Sequence, residues 1–390
     1  MFKNFIFNSR EKCPCTSGKL YKDCCKVKKP KEFHSQGEFL HLVGKMMKKS
    51  RIKVCLYNGC TAKGKNIIGA HALQENRILS KLQIDRQVYM QDFSSNPEML
   101  EIEKGKPEPF FLLKKVYIKD ATVATCFCKE HDDSIFAKIE KSQYSLDELN
   151  DEQLFLFAYK TFTFELYKEI AAQKFQENMF ANVPQTTKNW GTVYQYRNTV
   201  SKLEDLNYYK DYFDKAIKEQ DHGGIETMVI EIPYRIQFEN YMMVAPPFDI
   251  KGRKIKCIDK ATKRMKFAFF TTFPDESKSY ILVSVLKKDL DIYGQYFDQI
   301  RNSPIGLIEY YLNAFIPLYS QNLIISPELW DSWSELGQSG IQFAVADPNS
   351  VKLLKGVQFY MQNIAKLKDN NEIKIDTTNM PFNFFIPYAL

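Results

Sequence analysis

No apolar run in the sequence is long enough to cross a bilayer. The best candidate, residues 305–325, is broken by Glu309, Asn313, Pro317 and Gln321, whereas a span needs about 20 predominantly apolar residues. A secretory core is also lacking, since Lys3 is followed closely by Arg10, Glu11 and Lys12. The C-terminal half has no P-loop, no dinucleotide-binding glycine pattern and no His/Asp/Glu cluster at metal spacing, which removes the commonest nucleotide and metal chemistries from it. These absences give the expectation of a cytoplasmic protein without a membrane partner. In a reducing compartment the chain's nine cysteines point to metal ligation and not to disulfides.

What is present is a folded, aromatic-rich chain: 44% of its 390 residues are hydrophobic and 14% aromatic, ample for two or three domains with proper cores. Charge is unevenly placed. Residues 1–65 carry 16 Lys/Arg against 4 Asp/Glu, a net +12, so residues 66–390 sum to −5 within a whole-chain charge of +7. Such a local excess favours phosphate backbones through counterion release; a solvated basic arm is the plainer alternative.

The densest motif is Cys13-Pro14-Cys15-Thr16-Ser17-Gly18-Lys19-Leu20-Tyr21-Lys22-Asp23-Cys24-Cys25. Four thiolates this close can surround one ion, and a segment this short has no core, so metal would supply its folding energy. The motif resembles the SEC-C zinc motif of bacterial proteins, a small docking module, which implies Zn2+ on Cys13, Cys15, Cys24 and Cys25 and a protein or ribonucleoprotein partner.

A second ligand set is split. Cys55 and Cys60 flank an Asn58-Gly59 turn, and Cys128 and His131 have the spacing that aims two side chains at one ion from the first turn of a helix. Together they would close a tetrahedral structural site, with Cys126 as reserve ligand and two zinc ions expected per chain. Between the halves a short apolar strand ends at His71. The order resembles a treble-clef finger and, more loosely, an HNH nuclease finger across residues 51–140. It departs from HNH at Ala70, where a carboxylate is expected, and at Asp132, where a histidine is expected.

Taking the remainder in order, the apolar spacing predicts a helix over 36–49, a loop from Asn96 to Pro109 and a strand over 110–119. A helix should open at Cys128–His131, with Ile135, Phe136 and Ile139 facing inward. Ser145 and Glu148 form a capping-box pattern ahead of a long helix over 151–180. A further helix is expected over 198–219, ending in a loop at Asp221-His222-Gly223-Gly224. Strands over 225–232, 236–244, 254–258, 265–272 and 280–286 read as an antiparallel meander, with helices at 287–302, 304–320 and 327–336. Cys257 should be buried, and the apolar tail from Phe382 should pack on its own domain or on another subunit. The expected class is α+β. Its units are a SEC-C module (1–30), a treble-clef/HNH-like finger domain (31–144), a helical connector (145–224) and an α+β sensing or oligomerisation domain (225–390).

The whole order is similar to ring-activated zinc-finger ribonucleases of bacterial anti-phage defence. That resemblance implies RNA cleavage by a toxic effector, a phage protein as activator and a homo-oligomer. RNA carries its own nucleophile, so cleavage needs a base and cationic stabilisation. His71 suits the base, with Arg77 or Lys81 steadying phosphate charge. One alternative is an HNH-like DNase, with His71 as base and Asp132 and Glu140 holding Mg2+. The other is a non-enzymatic adaptor that binds nucleic acid or protein, in which His71 only packs.

Overall fold

The computed structural model describes residues 6–71, 78–103, 106–140, 148–259, 261–320, 322–346 and 382–386. A turn-rich segment leads into α1 (Gln36–Ser50), followed by β1 (Ile67–His71), β2 (Gln87–Gln91), β3 (Glu98–Glu103), β4 (Lys106–Phe110), β5 (Leu113–Tyr117) and β6 (Val123–Cys128). Three helices come next: α2 (Lys129–Glu140), α3 (Asp151–Asn182) and α4 (Trp190–Glu219). Then follow β7 (Ile225–Ile232), β8 (Phe238–Val244), β9 (Ala268–Pro274), β10 (Ser279–Leu286), α5 (Leu290–Arg301) and α6 (Ile305–Tyr319). The described elements close with β11 (Leu323–Ile325), α7 (Pro327–Ser332) and α8 (Glu335–Ala346). The class is α+β, as its alternation of patterns predicts.

The main sheet has seven strands in the order β5-β2-β11-β8-β9-β10-β7, every neighbouring pair antiparallel. It is not the simple meander expected, because β7 pairs with β10 and leaves β8 to extend the sheet through β11. Strands β2 and β5, from the stretch expected to be finger domain, complete that far side. Every residue of β8, β9 and β10 is buried. Strands covered on both faces read as continuous apolar runs, and these do.

Helix α3 covers one face. Its residues Phe155–Tyr167 are all buried, so no polar stripe marks it as amphipathic. It starts one turn later than the Ser145–Glu148 pattern, three residues of which lie outside the described residues. Its own box is Asn150–Gln153: the Gln153 amide donates to Asn150 Oδ1 (2.9 Å) and the Asn150 amide to Gln153 Oε1 (3.1 Å). Buried charged and hydroxyl side chains in the Phe155–Tyr167 stretch of α3 are paired. Thr161 meets Thr271 of β9 at 2.9 Å, and Asn322 donates to Glu165 at 2.9 Å. Lys160 pairs with Glu140 at the end of α2, its ammonium 5.0 Å from the Phe136 ring centroid. The opposite face of the sheet packs on α5, α6 and the tail residues Phe384 and Phe385.

Three local expectations are corrected. The Asn96–Pro109 stretch is a two-stranded hairpin, β3–β4; Pro107 and Pro109 are two apart, so both missing donors fall on its outer edge, where proline is tolerated. Residues 254–258 form no strand, only isolated bridges from Lys254 to Phe248 and from Ile258 to Met265. Asp249 and Asp259 capture local amides on either side and hold the chain in turns. Helix α4 begins eight residues early because Asn189 caps it, accepting from the Thr192 amide at 2.9 Å. Cys257 is buried and His222 sits in a loop against Phe155, as expected.

The apolar tail packs on its own chain. Phe384 is fully buried against Phe238, Trp333 and Phe382, and Asn313 of α6 accepts from the Phe384 amide and donates to the Phe382 carbonyl. Phe384→Ala should therefore cost about 3–5 kcal/mol, read from denaturant unfolding; a change under about 1 kcal/mol would show that the contact is dispensable.

Glu239 of β8 is also fully buried, and neither carboxyl oxygen has a hydrogen-bond partner among the described residues. Burial pushes its pKa up to about 8, the Lys160 charge opposing only in part. The folded state thus retains a proton that the unfolded state has lost between about pH 4.3 and 8. Stability contributed by this neutral group is full below that window and declines as pH rises through it. Glu239→Gln should flatten the decline, stabilising the fold at pH 8 and leaving it nearly unchanged near pH 4; parallel decline in both proteins would exclude Glu239 as its source.

Candidate functional site

The first candidate metal centre is built by a tight loop. The Cys13 amide donates to the Lys19 carbonyl (2.8 Å) and the Thr16 amide to the Cys13 carbonyl (3.2 Å). Gly18, at φ +76°, takes the left-handed turn between them. A single 3-10 turn at Tyr21–Asp23 then delivers Cys24 and Cys25. All four sulfurs lie within 4.8 Å of one another and all four cysteines are buried. Cys15 Sγ is 3.3 Å from Cys13 Sγ and 3.5 Å from Cys24 Sγ. Zinc–sulfur bonds near 2.3 Å place tetrahedral sulfurs about 3.8 Å apart, so the donor set fits such an ion.

This loop is bound to the helices behind it. Phe7 stacks edge-on to Phe180 of α3 at 5.5 Å, Tyr21 Oη meets Thr187 Oγ1 at 3.2 Å, and Arg197 of α4 grips Glu11 with two bonds of 2.9 and 3.0 Å. Burial raises the Cys25 thiol pKa, whereas at Cys15 hydrogen bonds from Ser17 and Cys13 outweigh burial and bring it down to about 6.

The second centre joins the two halves of its split motif. The Cys60 amide donates to the Tyr57 carbonyl (3.1 Å), and Gly59 supplies φ +79°. A Cβ on Gly59 would meet nothing within 4 Å, so it is the backbone angle that calls for glycine. The Leu56 amide donates to the Cys126 carbonyl at 2.9 Å and ties this turn to β6. Cys128 ends β6, and His131 lies in the first turn of α2. His131 Nδ1 is 3.1 Å from Cys128 Sγ and 3.6 Å from Cys55 Sγ, and the ring stacks on Tyr57 at 4.0 Å. Cys60 Sγ and Cys128 Sγ are 4.0 Å apart. Burial pushes Cys55 up to about 11; a divalent cation would offset the cost of holding thiolates there.

Cys126 is not a member of either set. It is fully buried in the main core, its thiol pushed well up by burial first and by the Asp132 charge second. Asp132 follows His131 in α2 and joins neither cluster. Arg77 lies outside the described residues. Lys81 is turned to Asp275 (3.3 Å) and Glu276 (2.7 Å) at the β9–β10 turn. Among the described residues only the two cysteine-rich groups gather three or more His, Cys, Asp or Glu ligands. His71, Asp132 and Glu140 are not brought together, and Glu140 is held by Lys160.

His71 stands at the end of β1, opposite Val123 of β6, in a hairpin with a register shift between Ile68 and Ala70. Its Nδ1 lies 2.9 Å from the Ala121 carbonyl. A carbonyl only accepts, so Nδ1 donates and the neutral ring carries its lone pair on Nε2. Sequence reasoning found His71 but missed the Ala121 carbonyl, because a backbone acceptor fifty residues away leaves no side-chain signal. Lys160 was also missed, although a lone lysine inside the apolar 155–167 stretch was its visible sign.

Scans against protein-family models, curated proteins and solved structures each returned no match.

Two donor sets compatible with two zinc ions predict close to two zinc per chain by plasma mass spectrometry on protein purified without added metal; a value near zero would remove both centres. Cys60 and His131 are only half-buried whereas the first centre is wholly buried. Under a chelator the second centre should therefore release its ion first, giving two phases in a zinc-dye assay; release in one phase would contradict that order.

Proposed function

We propose that the chain is a zinc-finger ribonuclease whose base is His71. The observation that carries this reading is the Nδ1–Ala121 bond, which holds the imidazole at a strand end in the tautomer a base requires. Nε2 would take the proton of a ribose 2′-OH as O2′ attacks the adjacent phosphorus. The O2′–P bond forms, the P–O5′ bond breaks and O5′ takes a proton from solvent, leaving a 2′,3′-cyclic phosphate. His71 then returns its proton to solvent.

The zinc ions would act as scaffold in this chemistry: the second centre fixes β6 and α2, and β6 fixes β1. The +12 charge of residues 1–65 supports a polyanionic substrate. Engagement of Glu140 with Lys160, and the place of Asp132 beside a finger ligand, favour this route over Mg2+-dependent DNA cleavage. By the resemblance in motif order, cleavage would serve as a toxic response to infection, with a phage protein as trigger and a homo-oligomer as the active form.

His71→Ala should lower the rate of RNA cleavage by about 10²–10⁴-fold with zinc content and circular dichroism unchanged. His71→Asn keeps an amide donor for the Ala121 carbonyl without a base, and should be equally inactive and fold normally. Full activity in either variant would exclude His71 as base.

A further inference from the structure

Among the described residues, six other than glycine have a positive φ: Thr16, Asp85, Arg86, Thr122, Gln220 and Lys263. Five of them are exposed, and of the six only Thr122 is buried, at 6% exposure. A left-handed conformation crowds the Cβ of any L-residue, and a β-branched one most of all. Thr16 shares the branching, but its hydroxyl donates to the Cys15 carbonyl at 2.8 Å. Thr122 Oγ1 has no hydrogen-bond partner among the described residues. On local grounds, then, neither the backbone angle nor the side chain of Thr122 is favoured.

The strain falls beside His71. Ala121 has φ −73° and ψ 135°, and Thr122 follows at φ 53°. Those angles put the two residues at the centre of a type II turn, whose third position calls for glycine or asparagine. A type I turn, which most residues accept, would carry the chain round the same corner. The two types differ in the central peptide, which is rotated by about 150–170° between them. Here that peptide joins Ala121 to Thr122, and its oxygen is the one 2.9 Å from His71 Nδ1. In a type I turn the oxygen would point to the opposite side and the Thr122 amide would swing toward the ring. Facing a donor, Nδ1 could only accept, and the proton would sit on Nε2.

The surroundings hold the turn in this form, as a strained conformation requires. The Ala121 amide donates to the Ile118 carbonyl (3.1 Å), and the Ile118 amide to the Arg86 carbonyl (2.9 Å). Ala121 is fully buried in a cluster with Leu79, Leu82, Val88, Ile118 and Ile324. On the other side Val123 pairs with His71 itself across β1 and β6. Both flanks of Thr122 are fixed by packing and pairing, independently of its own preference.

We propose that Thr122 is a positioning residue for His71: its left-handed backbone holds the Ala121 carbonyl toward Nδ1 and so keeps the lone pair on Nε2. Its part in RNA cleavage rests on the ribonuclease reading; its control of the tautomer does not.

The tautomer is the direct readout. Full-length, zinc-loaded protein carrying isotope-labelled histidine is examined by long-range nitrogen–proton NMR with the rings neutral, His71→Ala identifying the His71 signals. The wild type should carry the proton on Nδ1. Thr122→Pro fixes φ at about −65° and should move the proton to Nε2 or divide it between the nitrogens, with zinc content and circular dichroism unchanged. Its kcat for RNA cleavage should fall about 10²-fold with KM unchanged, because Thr122 acts through the imidazole and not on the substrate. Thr122→Gly, which takes a positive φ without strain, is the rescue: Nδ1 protonated, cleavage retained and an unfolding midpoint at least as high as the wild type's. Thr122→Val keeps the branching without the hydroxyl and should leave the proton on Nδ1.

A wild-type ring protonated on Nε2, or a folded Thr122→Pro protein still protonated on Nδ1, would overturn the proposal. So would loss of the Nδ1 proton in Thr122→Gly or Thr122→Val, or a clearly lower unfolding midpoint in Thr122→Gly; these decide the matter even where Thr122→Pro fails to fold. The two readings fail separately. Cleavage abolished by His71→Ala but intact in Thr122→Pro, with Nδ1 protonated, removes the positioning role alone. A tautomer that shifts as expected in a protein that cleaves nothing removes the nuclease reading and leaves the role of Thr122 standing.

Discussion

Helix α3 has no solvent-facing side through Phe155–Tyr167, and this sets the architecture. A helix buried all round needs apolar partners in every direction. Phe157 stacks on Phe273 and Phe164 packs on Tyr241 of the sheet, Phe162 and Tyr159 meet Phe213 of α4, and Tyr159 meets Phe136 of α2. Cys55, Cys126 and Cys128 belong to that same buried cluster. The second metal centre is thus a corner of the main core and not a bead on a linker. Further along the same helix, Phe180 receives Phe7 and Cys25 of the first centre. One helix therefore positions both candidate metal centres, and through β6 it also orients His71.

Such continuity places a demand on polar groups. Lys160 and Glu165 are carried into the interior by the same helix and are tolerated because Glu140 and Asn322 meet them. Glu239 has no such partner among the described residues, and burial raises its pKa to about 8, favouring the neutral form below that pH. The buried charges hold the relative register of α2, α3 and the sheet, since sliding any one of them would strand a charge in the core.

Legibility in the sequence followed the range of each interaction. That two groups of four Cys/His side chains could gather to hold an ion was readable because cysteine spacing and the Asn58-Gly59 and Ser17-Gly18 turns are local. The strands β7, β9 and β10 were readable from apolar runs bounded by turn residues. The order of the sheet was not, because the β2–β5 pair joins it only through β11, by the pairing of Ile325 with Tyr89 from a distant part of the chain. The prolines of β4 concealed a strand, since proline argues against a ladder unless its nitrogen lies on the outer edge. Asn189 and Asn150 were adequate caps in plain view, and ahead of Asn150 the Ser145 pattern looked the stronger signal. The tail's two possible destinations were settled by Asn313, whose amide bonds to both sides of the Phe382–Phe384 segment.

The proposed function rests on one imidazole whose Nδ1 donates to a backbone carbonyl, and two of the carboxylates that a Mg2+ route would need stand apart from it: Glu140 is paired with Lys160 and Asp132 follows a candidate metal ligand. The decisive distinction is which oxygen attacks phosphorus. A deoxyribonucleotide strand containing one internal ribonucleotide, incubated with zinc-loaded protein after free Mg2+ has been removed, isolates that question. The account predicts a single cut immediately 3′ of the ribonucleotide, a 2′,3′-cyclic phosphate on the upstream fragment and no cut in the all-deoxy strand. Cleavage of the all-deoxy strand that appears only on adding Mg2+ would contradict it.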